Sequence, residues 1–154
     1  MPERIEGFKG PYEFLSNFVH ARVVLSGVTY PTVEHAFQAA KSLDVIERTI
    51  IEKAKGPGHA KRLGRLLNCR PDWEDVKERV MRELLSQKFS QPHFMELLLS
   101  TGDAYLEETN WWNDKYWGVC NGKGKNRLGH ILMDIRTDLK AIQNSLVFKS
   151  ETHK

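Results

Sequence analysis

Glu34, Gln38 and Lys41 are the residues of this 154-residue chain whose types and spacing first suggest chemistry. At about 100° per residue on an α-helix they fall within roughly 60° of one another. Val33, Ala36 and Ala40 form an apolar stripe on the other side, and Phe37 borders both. Glu34 and Lys41 stand two turns apart, roughly 10 Å along the axis, which is beyond an ordinary ion pair. Both can still reach into one ligand pocket, a carboxylate and a primary amine facing the same molecule. The competing reading is a solvated polar face on an amphipathic helix, and spacing alone favours it.

Two later segments could serve a ligand. Trp111-Trp112-Asn113-Asp114-Lys115-Tyr116-Trp117-Gly118 places three tryptophans and a tyrosine within seven positions of a polar loop. Such rings can stack on a nucleobase or a ribose, with Asn113 or Asp114 addressing hydroxyls, or they can close one edge of the core. Gly122-Lys123-Gly124-Lys125-Asn126-Arg127-Leu128-Gly129 then leads into a helix, and from Lys115 to Arg127 there are four cations and no acid. Flexible glycines, a helix N-terminus and lysines suit a phosphate, although neither GxxxxGK[ST] nor a strand-linked GxGxxG is present. A simple basic turn is the alternative. A second acid-free stretch, Lys53 to Arg65, carries Lys53, Lys55, Lys61, Arg62 and Arg65 and reads mainly as a solvated surface. Glu107 and Glu108 are candidate proton carriers or ordinary surface acids.

The elements that must position these residues are mostly helical. Ala21–Leu25, a Ser26-Gly27 turn and Val28–Tyr30 predict a hairpin near the N-terminus. Thr32 is suited to N-cap a helix over Val33 to Ser42. A second helix is expected from about Asp44 to before Gly56-Pro57-Gly58, and a third over His59 to Leu67. Pro71-Asp72 opens a long one marked by Val76, Val80, Met81, Leu84 and Leu85, and Pro92 begins a short one. Thr101 to Lys125 reads as one long irregular loop, of a kind that is more often functional than idle. Leu128, Ile131, Leu132, Ile135, Leu139, Ile142 and Leu146 step at helical spacing, and residues 149–154 are expected to fray. The result is a mainly α domain with a small β-hairpin.

Composition narrows the class. Forty per cent apolar and 28 per cent charged residues are globular proportions. The length suits one domain, and a net charge of +3 permits anionic ligands without demanding them. No apolar run approaches the roughly 20 residues of a membrane span. Met1 to Glu6 lacks the order of an export signal. Cys69 and Cys120 make no CxxC pair, so a reduced cytoplasmic setting is expected. The six histidines, His20, His35, His59, His93, His130 and His153, show no zinc spacing, and no metal is expected.

Several segments together resemble one family. They are Phe14-Leu15-Ser16-Asn17-Phe18, Tyr30-Pro31-Thr32-Val33-Glu34-His35-Ala36-Phe37-Gln38-Ala39-Ala40-Lys41, Lys88-Phe89 and Thr101-Gly102-Asp103 with Leu106-Glu107-Glu108. Tyr116-Trp117-Gly118, Gly124-Lys125-Asn126-Arg127-Leu128-Gly129 and Leu132-Met133-Asp134-Ile135-Arg136 follow in the same order. This pattern is similar to the NADAR (YbiA-like) superfamily, most specifically in the EHxFQAxK block. The resemblance implies one YbiA-like helical domain over residues 1–148 and N-glycosidase activity on ribosylated amines. In some members the substrate is a phosphoribosylaminopyrimidine of riboflavin synthesis. In others it is ADP-ribose on the exocyclic amine of guanine in nucleic acid.

The family's Schiff-base lysine would map to Lys41 and its helix glutamate to Glu34. Glu107 or Glu108 would be a second carboxylate. Asn17 and Phe18 of the SNF motif, Gln38, Asp114, Trp117, Gly118 and Asn126 would position the sugar. Lys123 and Lys125, with Arg65, would hold phosphate. Both substrate classes carry an anomeric carbon whose nitrogen lies outside an aromatic ring, so the aminal can open to an imine. A neutral lysine can displace the base by transimination if its pKa is lowered. No cofactor, metal or NAD is needed. The expected substrate is ADP-ribosylated guanine in nucleic acid, because the two basic stretches suit a polyanion. An ADP-ribosyltransferase toxin would be the matching counterpart. A phosphoribosylated small molecule is the alternative substrate, and an ADP-ribose-binding module without turnover is the alternative of another class.

Overall fold

The computed structural model describes the backbone of residues 2–152 and the side chains of residues 2–150. Contacts within the chain cluster into two units, one formed by Leu15–Ser90 and the other by Met1–Phe14 with Gln91–Lys154.

The Leu15–Ser90 unit begins with the expected hairpin. β1 of this hairpin's sequence neighbours is the strand Arg4–Glu6 of the other unit, so the hairpin strands are β2 (Val23–Leu25) and β3 (Val28–Tyr30). They pair antiparallel, with Val23 opposite Tyr30 and Leu25 opposite Val28. Ser26 and Gly27 both take left-handed backbone angles, at φ 50° and 79°, as a two-residue hairpin turn of the primed type requires. α1 (Val33–Ala40) follows directly, capped by Thr32, whose side chain accepts the His35 amide at 3.0 Å. α2 (Val45–Glu52) is capped by Asp44, and α3 (Pro57–Gly64) opens on a proline, whose missing N–H is no loss in a first turn. α4 (Trp73–Ser90) closes the unit and offers Val76, Met81, Leu84, Leu85 and Phe89 to the interior. Its Gln87 side chain exchanges hydrogen bonds of 2.7 and 2.8 Å with the Val24 backbone and completes the hairpin edge.

α1 packs against α2 and α3 on one side and α4 and β2 on the other, so every residue from Val33 to Ala40 is buried. His35 shows what this requires of a polar side chain. Its Nδ1 lies 2.7 Å from Thr32 Oγ1 and its Nε2 lies 3.1 Å from the Ala54 carbonyl. A carbonyl can only accept, so Nε2 carries the proton and Nδ1 accepts from the threonine hydroxyl. This histidine ties α1 to the segment after α2.

The other unit contains β1 (Arg4–Glu6), a 3-10 turn (Gly10–Leu15) that ends at the unit boundary, α5 (Pro92–Ser100), β4 (Tyr105–Glu107), β5 (Thr109–Asn110), β6 (Val119–Cys120) and α6 (Arg127–Thr152). The irregular loop expected over Thr101–Lys125 is thus interrupted by strands. β1 pairs parallel with β4, Ile5 opposite Leu106, and β5 pairs parallel with β6. Segments of two or three residues with distant partners leave no periodic trace in sequence. Ile5, Leu98, Leu106, Leu128, Ile131 and Leu132 form the apolar interior. Buried Arg136 anchors α6, donating to Thr101 Oγ1 and to the Ala104 carbonyl, both at 2.8 Å.

The apolar stripe of α6 stops serving the core at Ile135. Ile142 and Leu146, expected to continue it, are 58% and 63% exposed. The helix runs through residues 149–152 of the stretch expected to fray, while His153 and Lys154 lie outside the described residues. Among the described residues no helix is long and apolar enough to cross a membrane, and no three His, Cys, Asp or Glu side chains are grouped to hold a metal ion.

Candidate active site

The Leu15–Ser90 unit brings Glu34, Gln38, Lys41, Asn17 and Phe18 into one neighbourhood. Glu34 and Gln38 are 8% and 5% exposed, so the solvated-face reading of this helix is overturned. Burying a carboxylate is costly unless it is hydrogen-bonded, and Gln38 supplies a bond, its Nε2 donating to Glu34 Oε1 at 2.8 Å. α3 reaches Gln38 at Gly64, where any β-carbon would overlap the amide oxygen. That glycine is what lets the two helices close over the Gln38–Glu34 pair.

Lys41 caps the C-terminal end of α1 and is half-buried. Burial is the main cause that pulls its pKa below the ordinary lysine value. Glu34 and Cys69 oppose this, while Arg65 and Lys61 push the same way as burial. Arg65 is exposed, so it affects the amine through its charge. The backbone after α3 returns over Lys41, with the Arg70 amide donating to the Lys41 carbonyl at 2.7 Å.

The Ser16-Asn17-Phe18 turn is fixed beside α1. The Glu34 amide donates to the Asn17 carbonyl at 3.2 Å, and the Phe18 amide donates to Ser16 Oγ at 3.1 Å. The Asn17 side chain is buried, its Nδ2 3.5 Å from Met81 Sδ, and Phe18 is 44% exposed. Asn17 Oδ1 and Gln38 Oε1 are buried acceptors without a hydrogen-bond partner. Each such group costs about 1–3 kcal/mol.

Lys88 was not among the expected site residues, yet it holds this turn. It is fully buried and its Nζ donates to the Ser16 carbonyl at 2.9 Å. Burial pulls its pKa down to about 7. A sequence signal existed: Leu84 and Lys88 are four apart on the apolar face that also carries Met81 and Leu85, where a lysine is out of character.

The other unit holds the remaining candidates. Glu107 has both carboxylate oxygens engaged, Oε1 with Arg4 Nη2 at 3.4 Å and Oε2 with Thr109 Oγ1 at 2.7 Å. It therefore clamps β4 to β1. Side chains alternate along an extended chain, so Glu108 leaves the backbone on the opposite side. The Glu108 amide donates to Asn126 Oδ1 at 3.0 Å.

Asn126, expected to position sugar, is 1% exposed and has its amide engaged, with Nδ2 donating to the Leu106 carbonyl at 2.8 Å and lying 3.2 Å from Tyr105 Oη. Its role in this structure is to fix β4 and the backbone of Glu108. Asp114 likewise faces backbone, its Oδ1 accepting the Tyr116 and Trp117 amides at 3.1 and 2.9 Å. Trp117 is half-buried, edge-on to Tyr116 at 4.9 Å, and Gly118 is buried with a β-carbon position filled by the Glu108 carbonyl. Lys123 and Lys125 are exposed, and Lys125 Nζ lies 5.6 Å from the centre of the Tyr116 ring.

A buried carboxylate and a desolvated amine thus share one helix, beside two buried acceptors without a hydrogen-bond partner. The family model for the NADAR domain matches residues 6–140, and the chain belongs to that family. It is 46% identical over 132 residues to N-glycosidase YbiA of Escherichia coli, covering 83% of this chain and 82% of that one. It is 37% identical over 131 residues to a riboflavin biosynthesis protein of Vibrio vulnificus, covering 82% of this chain but 35% of that protein. Among solved structures, the NMR structure of Escherichia coli YbiA matches with a TM-score of 0.80 and 42% identity, over 93% of this chain and 89% of that one. The helical fold with few short strands is thus that of YbiA, and the relatives' names support N-glycosidase activity in this family.

Proposed function

We propose that this chain is an N-glycosidase that cleaves the bond between a ribose C1 and an exocyclic base amine through a covalent intermediate on Lys41. The observation that carries the reading is the half-buried Lys41 amine, with its proton affinity lowered by burial, on the same helix as buried Glu34. The chemistry follows from those two groups. Glu34 in its acid form gives a proton to the ring oxygen as the aminal opens to an imine at C1. The Lys41 nitrogen adds to C1, and the C1–base nitrogen bond breaks as the leaving amine takes up the proton lost by Lys41. Water then adds to the lysine-bound imine, releasing the sugar and restoring the amine. A lysine held protonated cannot attack, so desolvation is a requirement for the step. Gln38 holds Glu34, and the Ser16-Asn17-Phe18 turn beside it positions the sugar.

The substrate we favour is ADP-ribose attached to guanine in nucleic acid, a modification that an ADP-ribosyltransferase would install. Support comes from the exposed cations Lys53, Lys55, Arg62 and Arg65 in the unit that carries Lys41. The second reading is a phosphoribosylaminopyrimidine, and the riboflavin-related name of one relative favours it. Glu107 or Glu108 is the second carboxylate of this reading.

Both readings are tested together. Guanine-ADP-ribosylated oligonucleotide and phosphoribosylaminopyrimidine are offered in parallel, and borohydride is added during turnover. A reduced sugar adduct on Lys41, absent in Lys41→Ala, is the expected result with the oligonucleotide as the faster substrate. Normal product with an unmodified Lys41 under borohydride refutes the covalent route.

A further inference from the structure

One end of the β5–β6 ladder carries exposed aromatic and basic side chains. Asn110 pairs with Cys120 in parallel register, so the chain leaves both strands at the same end, into Trp111 on one side and Asn121-Gly122-Lys123 on the other. Paired strands lie about 4.8 Å apart, which sets the aromatic residue beside the lysine turn. Both departures are rigid. Asn110 Oδ1 accepts the Asp114 amide at 3.0 Å, and Asn110 Nδ2 donates to the Asp114 carbonyl at 2.8 Å. Cys120 and Lys123 exchange backbone bonds of 2.9 and 3.1 Å around the Asn121-Gly122 turn. The Lys125 amide donates to the Lys115 carbonyl at 2.8 Å and draws a third lysine into the group.

On this frame Trp111 is 86% exposed, with Trp112 edge-on at 5.6 Å. A flexible tail can expose an indole by accident, but a loop pinned by this many bonds displays it permanently. Lys115, Lys123 and Lys125 are all exposed, and no acid falls between Lys115 and Arg127. The adjoining acid, Asp114, has Oδ1 turned onto backbone amides.

We propose that Trp111 and the lysines Lys115, Lys123 and Lys125 form a platform that binds single-stranded nucleic acid. A π-face next to an acid-free row of ammonium groups matches a polymer with a base and a phosphate in each repeat. The strand must be single, because the base faces of a duplex are closed to an exposed indole. The platform's use in capturing substrate rests on the nucleic-acid reading given above, although the binding itself does not.

The experiment titrates unmodified oligo(dT) into the full chain at low salt and follows tryptophan fluorescence and affinity. Wild type should bind with quenching, and Trp111→Ala should weaken binding by about tenfold, within the range that loss of one base stack gives. Trp111→Phe should retain most of the affinity. Lys115→Ala should reduce the slope of log affinity against log salt by about 0.7. Thermal unfolding of each variant checks that an exposed substitution has left the fold intact.

Unchanged affinity in Trp111→Ala overturns the proposal, as does equal binding of duplex and single strand, or binding indifferent to salt. The two proposals fail separately. If oligo(dT) binds as described and ADP-ribosyl guanine is not cleaved, the catalytic reading falls alone. If cleavage proceeds and the platform variants bind like wild type, this inference falls alone.

Discussion

Gly64→Ala isolates the contact that holds Glu34 in place, and its sign is the outcome of opposing effects. Alanine in place of glycine favours a helix by at most about 1 kcal/mol, less at a last helical position such as this. Against this, the three nearest heavy atoms to the new methyl group all belong to Gln38. Overpacking of that kind costs about 1–3 kcal/mol. If Gln38 swings away instead, the protein loses a hydrogen bond to a carboxylate worth about 1.5–3 kcal/mol. Net destabilisation of about 0.5–2.5 kcal/mol follows, with loss of glycosidase activity because Glu34 loses the Gln38 bond.

The same substitution in a Gln38→Ala background meets no amide, so it should stabilise by several tenths of a kcal/mol. Urea unfolding of wild type, the two single variants and the double variant measures the coupling, expected at about 1–3 kcal/mol with unchanged m. A coupling below about 0.5 kcal/mol would show that Gly64 does not constrain Gln38 and would remove the reason given for Glu34's position.

The rate of cleavage should rise with pH and level off below the ordinary lysine pKa, because burial lowers that of Lys41; a pH–rate profile still climbing at pH 10.5 would contradict this. Lys88 should make stability pH-dependent. Its folded pKa of about 7 lies below the unfolded value, so above about pH 7 the unfolded chain binds the extra proton and stability rises with pH. The slope approaches about 1.4 kcal/mol per pH unit until the unfolded lysine titrates, and urea unfolding of Lys88→Met from pH 7 to 9 should show that slope missing. Whichever of Glu107→Gln and Glu108→Gln removes the second carboxylate should lower kcat at least tenfold, and unchanged kcat in both would show that neither acid takes part. Glu107→Gln should lower stability by about 1 kcal/mol or less, since its Arg4 partner is half-exposed.

Much of the Leu15–Ser90 unit was legible because its signals are local. A Ser-Gly turn between β-branched runs, a threonine before a helix and a proline at a first turn each state their geometry within a few residues. The shared face of Glu34, Gln38 and Lys41 followed from helical angle alone. Their burial did not, because whether a polar face meets solvent or neighbouring helices is decided by α2, α3 and α4 folding around it.

In the other unit the decisive pairings join Arg4–Glu6 to Tyr105–Glu107, far apart in sequence and without periodicity. That is why the irregular loop concealed β4, β5 and β6. The same distance hid Glu107's engagement with Arg4. The bonds that the Asn126 side chain makes to the backbone of Leu106 and Glu108 span segments far apart in sequence and left no trace in its motif. The apolar spacing of α6 overstated its core face, because spacing fixes which residues align and not how far the neighbouring structure extends.

The parallel pairing of β1 with β4 has a consequence for synthesis. A ribosome delivers Ile5 well before its register partner Leu106, which emerges only after the whole Leu15–Ser90 segment. At roughly 5–20 residues per second β1 waits roughly 5–20 seconds for its mate. The intervening stretch packs on contacts of its own and can condense meanwhile, so Lys41 and Glu34 can be in place before β1 and β4 pair.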